Sequence, residues 1–263
     1  MKKEEKLVKK LNRLLKQIGC PRYLHNFGPK TYKFIQHALA LLLKEVMQCS
    51  FRRISKLLAL LGFEVPTYSA LCKSRKRIPF WIWSNLLKQT AGISSGMIAV
   101  DGTGFSRTNP SFHYIRRIDA KTPRGYAKLS ALFDIPNRKF TALRIRSKPR
   151  HDIKDVNYLL KQNPNLKILF GDSAYDSEKL HKYCYWKKIQ TMIKPRKDVK
   201  HGGFRKLQNR NYSEQEYHQR SLIESGFGSL KRKYGSSVLA KKAKGVKTEI
   251  YFKAIAHNLS LVQ

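Results

Sequence analysis

A stretch in the last quarter of the chain carries a phenol, two cations and a carboxylate at helical spacing. These are Tyr217, Arg220, Glu224 and Lys231. At about 100° per residue they fall within one narrow stripe of a helix. Such a row could hold a phosphate or a metal ion beside the carboxylate. It could equally be a solvated surface face, in which the Arg220–Glu224 pair contributes only a few tenths of a kcal/mol.

An apolar stripe lies next to the charged row and predicts that the same helix packs on a core. Its members are Ile223, Phe227, Leu230 and Tyr234. Gly226 and Gly228 interrupt the helix, and each costs about 1 kcal/mol relative to alanine. Gly228 lies close to the charged stripe, where we expect a small residue to let another backbone approach.

Two further acids follow apolar segments that read as buried strands. Asp101 comes directly after residues 97–100, and Asp172 follows residues 166–170 after one Gly. Either one alone could be a turn former, since Asp is favoured at strand ends. Three acids brought together would repel one another when ionised. Hard divalent cations such as Mg²⁺ relieve this repulsion, and two of them can clamp the attacking and leaving oxygens of a phosphodiester displacement.

The composition favours a polyanionic partner. The chain has 263 residues, and 54 Lys plus Arg against 17 Asp plus Glu give a formal charge of +37. Nucleic acid is the simplest partner for such a charge, although a ribosomal or chromatin-type protein would carry it equally well. Hydrophobic residues make up 41%, which excludes wholesale disorder and leaves room for one large or two small domains.

The cysteines and the apolar runs indicate a soluble intracellular protein. Cys20, Cys49, Cys72 and Cys184 form no CxxC pair, as expected for isolated thiols in a reducing compartment. The N-terminus shows no secretory signal. The longest apolar run, residues 38–43, is far too short to span a bilayer.

Residues 1–95 read as helical. The predicted helices cover residues 1–18, a segment capped by Thr31, residues 51–61 capped by Ser50, residues 68–77 capped by Thr67, and residues 80–92.

The helix, Gly-containing turn and helix over 51–77 fit the plan of a helix-turn-helix, and equally that of an ordinary helical hairpin. In the first case Lys73, Arg75 and Arg77 could reach DNA.

Residues 96–263 alternate strands and helices. Strands are predicted at 97–100, 112–118, 126–135, 140–145, 166–170 and 190–193, helices at 152–160, 177–187 and 248–262, and a basic loop at 194–210. This order is that of a ribonuclease-H-like α/β fold, a mixed sheet flanked by helices. In such a sheet the strands that carry Asp101 and Asp172 are neighbours.

The motifs together resemble a known family. The stretch around Glu224 fits Y-x2-R-x3-E-x6-K, the signature around the catalytic glutamate of insertion-sequence transposases of the DDE superfamily. Asp101 resembles their first aspartate. The segment Gly171-Asp172-Ser-Ala-Tyr175-Asp176 resembles the surroundings of their second aspartate.

The resemblance implies a metal-binding catalytic triad of Asp101, Asp172 and Glu224. The metal would be Mg²⁺, with Mn²⁺ able to substitute. It also implies cleavage of DNA at transposon ends and joining to a target, without a covalent enzyme–DNA intermediate. Arg220 and Lys231 would hold phosphate, and Tyr217 would contact DNA or simply pack.

Further expectations follow from that resemblance and its mechanism. Synapsis of two ends predicts a homo-oligomer on DNA, most simply a dimer, in a prokaryotic cytoplasm at the nucleoid. No insertion domain fits between Asp172 and Glu224, because a helix, a strand and a loop already fill that segment. His151 and Asp152 precede a helix, and Asp152 is best explained as its N-cap.

Two alternatives remain open. The first is a nuclease of the same fold that hydrolyses nucleic acid without strand transfer. The second is a non-catalytic DNA-binding protein derived from a transposase.

Overall fold

The computed structural model describes residues 3–24, 30–107, 126–147, 150–197, 202–240 and 242–261. The chain forms two compact units. One contains residues 1–90 and 230–263 and is helical. The other contains residues 91–229 and is built on a sheet. The strand predicted at 112–118 lies outside the described residues.

The helical unit contains α1 (Lys3–Gln17), α2 (Phe34–Val46), α3 (Phe51–Leu60), α4 (Tyr68–Arg77), α5 (Phe80–Ala91) and the C-terminal helix, here α11 (Ala243–Ser260). Two predicted N-caps are confirmed: the hydroxyl of Ser50 accepts from Arg53 N at 3.2 Å, and that of Thr67 accepts from Ala70 N at 3.4 Å. The Thr31 cap is wrong, because α2 begins three residues later, where the Gln36 side chain accepts from Lys33 N.

Helix α11 packs with the N-terminal helices rather than standing apart. The Trp83 and Phe252 rings lie 4.5 Å apart, and those of Phe80 and Tyr251 lie 4.8 Å apart. The division predicted between residues 95 and 96 stays a prediction, and the compact units place residues 230–263 with the N-terminal helices. In the part of the chain that the structure describes, we find no helix long and apolar enough to cross a membrane.

The sheet of the α/β unit has five strands in the order β3-β2-β1-β4-β5. They are β1 (Met97–Ser106), β2 (Tyr126–Asp134), β3 (Lys139–Arg146), β4 (Ile168–Gly171) and β5 (Gln190–Ile193). The first three are antiparallel, whereas β4 runs parallel to both β1 and β5. This mixed sheet flanked by helices confirms the predicted ribonuclease-H-like class, including the pairing of β1 with β4.

The helices of this unit are α6 (Ile153–Leu160), α7 (Glu178–Trp186), α8 (Gly203–Asn209), α9 (Glu214–Tyr217) and the first part of α10 (Ser221–Tyr234). One sheet face buries an aliphatic core with α6 and α7, including Val100, Val156 and Leu180. On the other face Phe140 stacks on Phe227 of α10, with ring centroids 5.6 Å apart.

Helix α8 replaces part of the loop predicted at 194–210, so that prediction is wrong for residues 203–209. The helix begins without a side-chain cap of its own. Instead, the carboxylate of Glu178, distant in sequence, accepts from the backbone N–H groups of Phe204 and Arg205 at 2.9 and 3.0 Å. Because this capping group comes from another helix, local sequence gave no start signal.

Candidate active site

The sheet register brings the two predicted aspartates level with each other. The parallel ladder pairs Met97 with Ile168 and Ala99 with Phe170. Two residues further along each chain stand Asp101 and Asp172. The prediction that Asp101 ends its strand is wrong, since β1 continues antiparallel to β2 as far as Ser106. The parallel partner β4 does end, at Gly171, directly before Asp172.

Asp172 is held by the turn that follows β4. Its Oδ1 accepts from Ala174 N at 2.9 Å and so caps a single 3₁₀ turn, Ser173–Tyr175. Arg196 fastens the same turn, because its guanidinium donates to the carbonyls of Ser173 and Ala174 at 2.7 and 3.2 Å. The aspartate is therefore fixed by its own turn and by a distant arginine.

Glu224 is tied to Asp101 through Arg220. The guanidinium of Arg220 lies 2.7 Å from Glu224 Oε1 and 3.6 Å from Asp101 Oδ2. The predicted i,i+4 contact is thus present, and the same arginine also reaches the acid on β1. The third acid therefore belongs to the same cluster as the first.

Burial and repulsion raise the pKa of Asp101 to about 6. Burial is the main cause, and the negative charges of Asp172 and Glu224 add to it. The N–H of Gly102, 2.7 Å away, and the charge of Arg220 lower the pKa but do not compensate fully. A raised carboxyl pKa beside two other acids marks a place short of positive charge.

The donor set fits a hard divalent cation. Carboxylate oxygens are the ligands such ions prefer, and Arg220 now supplies the kind of charge that a cation would supply. As they lie, no three His, Cys, Asp or Glu side chains in the described ranges stand close enough together to ligate one ion. The chemistry of the site fits a metal, while the side chains are arranged around an arginine.

The sequence predicted one continuous helix over the signature stretch, and this prediction is wrong. Residues His218–Arg220 form a 3₁₀ turn between α9 and α10. Tyr217 therefore stands on a separate short helix, where the Arg220 guanidinium and the Lys194 ammonium each lie 5.9 Å from its ring centroid. Lys231 lies further along α10, in the part that belongs to the helical unit, and burial lowers its pKa.

The predicted anchoring stripe of α10 is confirmed, but the role given to Gly228 is wrong. Ile223, Phe227, Leu230 and Tyr234 are all buried. Gly226 is the residue that makes the close approach, because a Cβ there would lie 2.6 Å from Cε2 of Phe133. At Gly228 a Cβ would meet nothing within 4 Å. Packing of α10 on the sheet, which positions Glu224, thus depends on Gly226.

A buried network that the sequence did not reveal supports the Asp172 turn. Asp176 is fully buried and accepts from Arg205 Nε at 2.7 Å and from Arg196 N at 2.8 Å. Its Oδ1 also lies 3.0 Å from His181 Nε2. Burial is the largest cause of the lowered pKa of His181. Only the position of Asp176 near Asp172 hinted at this role.

Asp152 does not cap α6, so the N-cap interpretation is wrong. Its backbone is helical, and its side chain makes no cap hydrogen bond. Instead, its Oδ1 pairs with Lys128 Nζ at 2.8 Å. It lies so close to β1 that a Cβ on Gly102 would come within 2.5 Å of that oxygen. The Lys128 ammonium on β2, rather than a local backbone N–H group, is therefore the partner of Asp152.

Helix α4 shows two kinds of basic side chain. Lys73 and Arg77 are exposed, whereas Arg75 is half-buried. The Arg75 guanidinium lies 5.0 Å from the Phe51 ring centroid. Helices α2, α3 and α4 share a small core that includes Ala40, Ile54 and Leu71. Packing thus occupies Arg75 and leaves the other two at the surface.

The mixed sheet flanked by helices, with Asp101 on β1, Asp172 directly after the neighbouring β4 and Glu224 on a helix, defines a ribonuclease-H-like fold. A family model described as "Transposase DDE domain" matches residues 94–259. The chain therefore belongs to the DDE transposase family. The predicted resemblance is confirmed at this level, and with it a transposase type of function, DNA as partner and the general use of divalent metals in the family. Among individually curated proteins no match was found.

Proposed function

We propose that this protein is a DNA transposase that cuts at transposon ends and joins them to target DNA. Asp101, Asp172 and Glu224 would bind Mg²⁺, with Mn²⁺ able to substitute. One observation carries the proposal: the register sets Asp101 level with Asp172, while Arg220 links Asp101 to Glu224. Three acids from distant parts of the chain share one under-neutralised spot in a protein of net charge +37.

The chemistry consists of two phosphodiester displacements. In the first, the oxygen of water bonds to phosphorus and the P–O3′ bond breaks, which leaves a 3′-hydroxyl and a 5′-phosphate. In the second, that 3′-hydroxyl attacks a target phosphodiester and a target 3′-hydroxyl departs. Divalent ions, when bound, supply activation of the nucleophile and stabilisation of the leaving oxygen. The second step exchanges one phosphodiester for another, so no energy source is needed.

Arg220 has two uses in this proposal. Without a cation its guanidinium neutralises Asp101 and Glu224. With their charge satisfied by a cation, the guanidinium is available for bidentate contact with a DNA phosphate. The Lys231 ammonium would contact a DNA phosphate as a point charge. Tyr217 would position Arg220 or stack on a base.

A second DNA-binding region is proposed for residues 1–95. In this region Lys73 and Arg77 are exposed on α4 and would contact phosphates, whereas Arg75 would support the helix through Phe51. We also propose that two copies act together on a pair of ends. Sedimentation of the protein with and without end DNA tests this, and a monomer with both ends bound would contradict it.

The testing experiment uses labelled DNA with the element's own ends, a plasmid target, and Mg²⁺ or a chelator. Wild type is compared with Glu224→Gln, which keeps the shape but removes the charge. The matched control is Glu216→Gln, which removes the same charge from an exposed position on α9. We expect Glu224→Gln to lower cleavage and joining more than about 100-fold, since even residues that only support metal ligands contribute 10–100-fold. The control should keep full activity.

Other outcomes separate the alternatives. Metal-dependent cutting of arbitrary DNA without joined products would indicate a nuclease of the same fold. Binding without cleavage in wild type, unaffected by a chelator, would indicate a DNA-binding protein derived from a transposase.

A further inference from the structure

An exposed aromatic cluster lies at the C-terminal end of α7. Trp186 is 69% exposed and Tyr185 is 44% exposed. Their ring centroids lie 5.7 Å apart, and the Phe204 ring of α8 lies 5.3 Å from Tyr185. Three aromatic rings thus form one surface patch, defined here as the α7 aromatic patch. Large apolar side chains exposed together mark an interaction surface.

Lysines surround this patch. Lys179 and Lys182 are exposed on α7 at the spacing that places them on the helix face of Trp186. Lys187 and Lys188 follow the helix directly and are exposed as well. The Lys182 ammonium lies 5.7 Å from the Phe204 ring centroid. The helix therefore presents a row of positive charge that leads to aromatic faces.

The acid at the start of α7 does not oppose this charge row. The carboxylate of Glu178 is turned to the N-terminus of α8, where it accepts from Phe204 N and Arg205 N. The same contacts hold Phe204 in place beside Tyr185. The contact of Glu178 with the N-terminus of α8 thus sets both where the carboxylate points and where the Phe204 ring lies.

We propose that the α7 aromatic patch binds unpaired bases of single-stranded DNA, with Trp186 as the stacking surface and the α7 lysines on the phosphates. Positively charged tracks with exposed aromatic rings are the usual way to hold single strands, because every base has a π face. A duplex hides those faces, so it would use the lysines alone. The exposed lysines beside the rings complement a polyanion, which is why DNA is preferred as occupant.

The test measures binding of labelled oligothymidylate by fluorescence anisotropy, in chelator so that no cleavage occurs. A matching abasic oligonucleotide has the phosphates without the bases. We expect wild type to favour oligothymidylate over the abasic strand by about tenfold, within the range for stacking of a single base. Trp186→Ala should remove this preference, and Trp186→Phe should retain most of it. Duplex affinity should change less than twofold.

The matched control is Tyr158→Ala, which removes another exposed aromatic ring, 40% accessible, from α6 of the α/β unit. It should leave the preference intact. Equal affinity of wild type for both oligonucleotides, or an unchanged preference in a folded Trp186→Ala protein, overturns the proposal. So does a Trp186→Ala variant that alters only self-association by sedimentation, which would assign the patch to contact between copies. Because no cleavage is measured, the result does not depend on the transposase assay.

Discussion

Two groups of acids in the α/β unit differ in how completely their charges are paired. Asp176 is fully buried, yet Arg205, His181 and the backbone of Arg196 all lie within hydrogen-bonding distance of it. Asp155 is equally buried and has the guanidinium of Arg146 2.5 Å away. Each buried charge is thus paired, which is the condition for keeping it inside a protein.

The candidate catalytic acids lack such complete pairing. Asp101 has one backbone donor, and a single arginine is shared between it and Glu224. The pKa of Asp101 is consequently raised to about 6. The difference separates fully paired acids, which build the scaffold, from incompletely paired ones, for which we propose a positive ligand.

The distinction between the two groups of acids would fail if loss of charge changed the free energy of unfolding alike in both. We expect Asp176→Asn to lower the free energy of unfolding by about 3–5 kcal/mol, because it leaves the Arg205 charge buried without a partner. Asp101→Asn should raise it by about 1 kcal/mol at neutral pH, because a repelled, desolvated charge is removed. Denaturant melts of the two variants measure this. Equal losses of stability in both variants would contradict the distinction between the two groups of acids. Complete unfolding of Asp176→Asn would agree with it.

A second pair of variants tests how the third acid is held. Gly226→Ala should destabilise the protein by about 1–3 kcal/mol, since its Cβ would overlap the Phe133 ring. Gly228→Ala on the same helix should stabilise by up to ~1 kcal/mol, because its Cβ meets nothing and alanine favours helix. Thermal melts give both values, and cleavage should fall only in the first variant, in which Glu224 is displaced. A stabilised Gly226→Ala protein would show that α10 does not depend on that contact.

The smallest expected effect is a pH dependence. The pKa of Asp101 is raised from 3.8 to about 6 in the folded protein, so between these values the folded state holds a proton that the unfolded chain has lost. Stability should therefore fall as pH rises through this window, by about 1 kcal/mol after allowance for solvent screening. Melts of wild type against Asp101→Asn from pH 4 to 7 isolate this contribution.

Adding Mg²⁺ gives a further test of the pH dependence assigned to Asp101. Mg²⁺ competes with the proton for the ionised carboxylate, so the fall in stability should shrink as its concentration increases, in wild type only. A slope that is the same in Asp101→Asn would assign the titration to another group.

Much of the fold was predictable, because its signals are local. The apolar stripe of α10, the caps Ser50 and Thr67, and the order of most strands and helices are each encoded within a few neighbouring residues. Two of the failures share a cause. Helix α8 begins on the carboxylate of Glu178, and Asp152 is taken by Lys128, so in both places a partner from a distant segment replaced the local one.

The candidate site was predicted in part for the same reason. Asp101, Asp172 and Glu224 stand out by type, by the apolar segments before two of them and by the spacing around the third. The network on Asp176 gave no signal beyond the closeness of Asp176 to Asp172 in the sequence, because Arg205 stands among many basic residues and only its burial distinguishes it.

The sequence by itself determined the identity of the three acids, the strand and helix order that carries them, and the excess of positive charge. Only the tertiary structure decided the register that levels Asp101 with Asp172, the sharing of Arg220 by two acids, and which aromatic residues remain exposed. The physical reason is the separation along the chain over which each interaction acts. Helical period, capping and strand hydrophobicity act between close neighbours, whereas register, ion pairing and exposure depend on which distant segments fold against one another.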